Sequence, residues 1–86
     1  MNPTPIQRAQ AALDEVVSLA DDAAYLKLHT DPDSQDELRR IRRRAHELLE
    51  VAQLAKVDVE DADYSLYLTV RSLRNKVLTE VNSIFS

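Results

Sequence analysis

Apolar residues recur at spacings of three and four from Ile6 to Ile84, and nowhere does the chain alternate apolar and polar residues in the two-residue period of a strand. That periodicity lays one face of a helix against a core over almost the whole length. The same 86 residues contain no glycine. Phosphate-cradling loops, dinucleotide fingerprints, calcium-loop turns and nucleophile elbows all need backbone conformations that glycine supplies, so none of those sites can be present in standard form. An all-α fold without glycine-dependent chemistry is the expectation.

Three helices are expected within one domain spanning 1–86, over about 5–28, 34–55 and 59–85. Thr4 is placed to cap the first, with Pro5 at the first helical position and Gln7 completing a capping box. Asp31-Pro32 breaks the pattern, because a residue before proline is pushed away from helical geometry. Ser34 and Glu37 then offer a second capping box, and Asp58 a third cap, with Val57 and Ala62 as its hydrophobic staple. Short connections favour a small three-helix antiparallel bundle. With no glycine to stop the second helix, the alternative is a helical hairpin whose single long helix, 34–85, dimerises.

The expected core faces are Ile6, Ala9, Leu13, Val16, Val17, Ala20, Ala24 and Leu28 on the first helix, then Leu38, Ile41, Ala45, Leu48, Leu49, Ala52 and Ala55 on the second. The third offers Val59, Ala62, Leu66, Val70, Leu73, Val77, Val81 and Ile84. Many of these are alanines, which let helices approach closely but bury little area each, so the core should be thin. A chain of 9.8 kDa buries roughly 64% of its unfolded surface by general scaling, a marginal figure for a lone monomer.

No cysteine is present, which excludes disulfides, thiolate zinc sites and a cysteine nucleophile. The first residues lack a basic region followed by an apolar core, and no stretch has the run of apolar residues that a membrane span needs, so a soluble cytoplasmic protein is the default. The net charge of −4 does not favour a nucleic-acid or membrane partner for the molecule as a whole. The middle segment, 34–56, is nevertheless basic at +2.

That segment holds the densest cluster, Arg39, Arg40, Arg42, Arg43 and Arg44. Arginine forks grip phosphates and carboxylates, so the cluster is a candidate contact for an anion, an acidic protein surface or a nucleic-acid backbone. Asp36, Glu37, Glu47 and Glu50 stand within one or two turns, however, and Asp36 with Arg40 has the favourable acidic-before-basic order at four spacing. A solvated, internally paired face is the plainer expectation.

The third helix carries a second apolar strip beside its core stripe: Tyr64, Tyr67, Leu68, Leu78 and Phe85, with Arg71 and Arg74 as charged rim. A helix in a monomeric bundle needs one such face. Either two flanking helices bury it widely, or it is a contact surface for another protein or a second copy, joined by Val51 and Leu54 of the second helix and Leu19 and Leu26 of the first. The string Tyr64-Ser65-Leu66-Tyr67 ahead of an amphipathic carboxyl-terminal helix resembles the ending of needle subunits from bacterial type III secretion. That family pairs two helices around a proline-containing turn, whereas here the Asp31-Pro32 turn lies a full helix ahead of the tyrosines, and no residue role is carried across.

Neither His29 nor His46 has a second ligand at metal-helix spacing, and the adjacent carboxylates Asp21, Asp22, Asp61 and Asp63 lie on polar faces where nothing would raise a pKa. No catalytic, metal or cofactor-binding residue is therefore assigned. The expectation is a small non-enzymatic helical interaction module, acting as regulator, adaptor, chaperone or inhibitor. The alternatives are a nucleic-acid binder using Arg39 to Arg44, or a structural subunit of a larger assembly.

Overall fold

A computed structural model describes residues 2–86 and shows an all-α bundle: α1 (Pro5–Leu26), α2 (Pro32–Asp58) and α3 (Tyr64–Phe85), each packed on the other two. Arg8 at the start of α1 reaches Asp58 at the end of α2, and Lys27 beyond the end of α1 donates to the Ser83 carbonyl near the end of α3. The helices therefore run up, down and up. The single long helix over 34–85 does not form, because the chain turns between Val59 and Asp63.

The start of α1 is as its sequence dictates. Gln7 N–H donates to the Thr4 hydroxyl at 3.1 Å, and Thr4 N–H to the Gln7 side chain at 2.9 Å, with Pro5 opening the first turn. The other boundaries differ from expectation. Helix α1 ends at Leu26 rather than Leu28, tightening through Leu28 N–H to Tyr25 O and His29 N–H to Leu26 O. Helix α2 is capped by Asp31, not Ser34. The proline that breaks the pattern also holds Asp31 extended, at φ −69° and ψ 153°, which is the backbone an N-cap requires. Asp31 then accepts from both Ser34 N–H and the Ser34 hydroxyl.

Asp58 does not cap α3, and the Val57–Ala62 staple is not seen: α2 continues to Asp58, both apolar residues are exposed, and Asp63 caps α3 by accepting from Ser65 N–H. The turn between them is a run of tightened bonds, Val59 to Lys56, Glu60 to Val57 and Ala62 to Val59. No described residue has positive φ, so the turn is made without the left-handed conformation that a glycine stop would use. Buried Val59 pins it to the core.

The core contains no buried polar or charged residue among those described. All six expected positions of α2 other than Leu49 are buried, as are Val70, Leu73, Val77, Val81 and Ile84 of α3. On α1 the wheel is rotated. Ala12 and Ala23 are buried, whereas Ile6, Val17, Ala24 and Leu28 lie outside. Leu19 and Leu26, expected on the outer surface, instead pack half-buried against the core. The rotation brings Leu19 and Leu26 onto the core beside Ala12, Val16 and Ala23, and leaves Ile6 and Val17 on the solvent side.

The bundle is slender, measuring 48 × 25 × 15 Å with a radius of gyration of 14.3 Å, where a compact chain of this length would have about 12 Å. Its accessible surface is 5659 Å², against about 5,200 Å² for a typical folded protein of its mass. The thin core expected from the alanines is thus present as excess surface.

Candidate functional site

Helix α3 stands against both neighbours, and that position divides its second apolar strip in two. Tyr67, Arg74 and Leu78 lie on the flank facing α2 and are half-buried. Tyr67 packs on the cluster of Ala9, Ala55, Val59, Val70 and Leu73 at one end of the bundle. Arg74 and Leu78 line a groove of about 370 Å³ with His46, Leu49, Glu50 and Gln53 of α2. Flanking helices therefore cover part of the strip.

Tyr64, Leu68, Arg71 and Phe85 remain outside. Tyr64, at the first position of α3, is 71% exposed and lies 6.4 Å from the Tyr67 ring in a stacked arrangement. Leu68 is 40% and Phe85 42% exposed. The Phe85 ring is held from one side only, by the His46 ring at 4.7 Å and the Arg42 guanidinium at 5.8 Å, an aromatic and cation–π seat on α2. Val51 and Leu54 of α2 are also exposed, Leu54 at 60%.

An open, shallow surface strip runs along the outer side of α3 itself, formed by Leu68, Arg71, Ser72, Asn75, Lys76 and Thr79. Sequence reasoning did not single out Ser72, Asn75, Lys76 or Thr79. Their signal was the spacing, for Leu68, Ser72, Asn75 and Thr79 follow one another at four, three and four residues on the line opposite the core. Polar side chains on that line hid it from a search for apolar strips.

The arginine cluster is largely paired. Arg39 bonds Asp36 and Arg40 bonds Glu37, both at three-residue spacing rather than through the expected Asp36–Arg40 pair. Arg44 clasps Glu15 of α1 with two bonds, at 2.5 and 2.9 Å, and also reaches Glu47 at 2.9 Å. These bonds hold the Glu15 carboxyl below its ordinary pKa and raise that of Arg44 further. Arg42 lies over Phe85, and Arg43 makes no ion pair among the described residues.

The other candidate chemical groups are scattered. His29 sits past the end of α1 against the Tyr25 carbonyl, while His46 sits midway along α2 under Phe85. Asp63 is a helix cap, and Asp21, Asp22 and Asp61 are exposed. No group of three or more histidine, cysteine, aspartate or glutamate side chains converges among the described residues. Asp31, like Glu15, has its pKa lowered, chiefly by the Ser34 hydroxyl and backbone bonds, the reverse of what a general acid at neutral pH requires. No described helix is long and apolar enough to cross a membrane. The chain matches no protein-family model, no curated protein and no solved structure.

Proposed function

We propose that this protein is a small, non-enzymatic, cytoplasmic interaction module, a regulator, adaptor, chaperone or inhibitor, that binds another protein or itself through α3 and the adjoining part of α2. The observation that carries the reading is the exposure of Tyr64, Leu68 and Phe85 on a helix whose core stripe is already fully covered. Aromatic and aliphatic side chains beside arginines are the composition of interface anchors. The nucleic-acid alternative is weaker because Arg39, Arg40 and Arg44 are tied to carboxylates, leaving few guanidiniums free for phosphates. A structural subunit would use the same outer surface in a repeating contact.

The test is site-directed photocrosslinking, with a reactive phenylalanine analogue replacing Leu68 or, as control, Asp21. Adducts to protein from position 68 alone, reduced when Tyr64 and Phe85 become serine while far-ultraviolet helicity is unchanged, support the reading. Equal adducts from both positions, or salt-sensitive retention on DNA abolished by Arg42→Gln and Arg43→Gln, overturn it.

A further inference from the structure

We infer that the outer face of α3 docks an acidic amphipathic segment of another protein, in preference to a second copy of this chain or a nucleic acid. This rests on the proposed function and names the partner's chemistry. Between Tyr64 and Phe85 the charged residues are Arg71, Arg74, Lys76 and Glu80, so this helix is net positive in a chain of net charge −4. Among the described residues six ion pairs form, and none includes a residue of α3. Glu50 lines the α2–α3 groove with Arg74 without pairing to it.

Two of these free cations frame an open strip on the helix surface. Arg71 and Lys76 flank the line of Leu68, Ser72, Asn75 and Thr79. Eleven steps from Leu68 to Thr79 at about 1.5 Å each give roughly 16 Å, or three helical turns, with an apolar side chain at the tyrosine end and small polar side chains beyond it. A partner helix can approach such a floor closely, set one apolar residue on Leu68, and place carboxylates on both flanks within reach of the two cations.

The same charges decide against the other occupants. A two-fold contact through this face would set Arg71 and Lys76 opposite their own copies, with Glu80 the only carboxylate on the helix to relieve them. Contact between this face and exposed Asp14, Asp21 and Asp22 on α1 of another copy offers charge complementarity but no apolar residue among those three to seat on Leu68. A nucleic acid presents a long row of phosphates to a molecule of net charge −4, and three cations on one helix offset little of that repulsion.

The experiment titrates the full chain, with amide resonances as readout, against three probes: a helical peptide with leucines at three and four spacing flanked by glutamates, the same peptide with lysines for glutamates, and a short DNA duplex. The glutamate peptide should move the amides of Leu68, Ser72, Asn75, Lys76 and Thr79. Its affinity should fall about tenfold or more with Arg71→Glu plus Lys76→Glu, and likewise from low to high salt. Both residues are exposed, and circular dichroism checks that the double variant keeps its helicity. Equal binding of both peptides on these amides overturns the acidic assignment while leaving α3 as the interaction face. Binding of neither peptide, preferential binding of the duplex, or self-association that the charge reversal strengthens also overturns it. Crosslinking at position 68 decides the proposed function independently of each of these results.

Discussion

The seam between α1 and α2 and the attachment of α3 solve the same packing problem differently. Six of the buried side chains are alanines, and all six lie on α1 and α2: Ala9, Ala12, Ala23, Ala45, Ala52 and Ala55. Alanine contributes little transfer free energy, so α1 and α2 rely also on buried Val16, Leu38, Ile41 and Leu48, and their contact is fastened at its surface by Arg8 with Asp58 and Arg44 with Glu15. Helix α3 instead inserts Val70, Leu73, Val77, Val81 and Ile84, makes no ion pair among the described residues, and is tied to the end of α1 by Lys27 donating to the Ser83 carbonyl. The α1–α2 contact is rich in alanine and tied by ion pairs, whereas the buried side chains of α3 are all branched aliphatics and the helix has no described ion pair. Stability should respond to volume at α3 and to fit and charge at α1–α2.

Substitutions that break this contrast fall in a clear order. Ile84→Ala removes a fully buried branched side chain of α3 and should destabilise by about 2–5 kcal/mol in denaturant titration, with little dependence on salt. Ala52→Leu forces volume into a fully buried position and should cost about 1–3 kcal/mol; a neutral result would mean the core around it is looser than its burial implies. Thr4→Ala removes one arm of the capping box and should cost about 0.5–2 kcal/mol, read as fraying of α1 by amide exchange.

The smallest effect belongs to the clasp. Arg44→Gln should cost no more than about 1 kcal/mol, because both partners are well exposed to solvent and salt. Its sign with pH is fixed. Glu15 has a lowered folded-state pKa, so its contribution is present above the ordinary value of 4.5 and is lost as pH falls through the folded value. The stability of Glu15→Gln measured down that range should therefore decline less steeply than that of the parent. Equal slopes would remove the clasp from the contrast between the seams.

The sequence made most of this fold legible, and where it did not, a specific physical competition explains the difference. Every buried residue of α2 could be read from its period because that helix is flanked on two sides and presents a single dominant stripe. On α1 two stripes compete, one with Ile6 and Val17 and one with Ala12, Leu19, Ala23 and Leu26, and only the position of the neighbouring helices selects the second. At the second boundary Asp31 and Ser34 both qualify as caps, and the proline fixes the choice by holding Asp31 extended. At the third, Asp58 is drawn to Arg8 of α1, a partner 50 residues away that no local pattern reveals. The strip on α3 was visible as composition, but its division into a half-buried flank and an exposed face depends on where α2 lies. The open strip between Arg71 and Lys76 was harder to see, since its line is mostly polar.

The turns made without positive φ have a consequence for how this chain can diverge. In most small domains a few glycines are irreplaceable because only they tolerate the left-handed backbone, and those positions anchor any lineage. Here no described position imposes that demand. Substitution is restrained by volume in the core, by charge between helices and by the caps Asp31 and Asp63, while the other exposed positions of the connections at 27–31 and 59–63 remain open to many side chains. Such a scaffold can drift far in sequence while keeping its shape, and its descendants would be recognised by the placement of buried alanines on the first two helices sooner than by any shared motif.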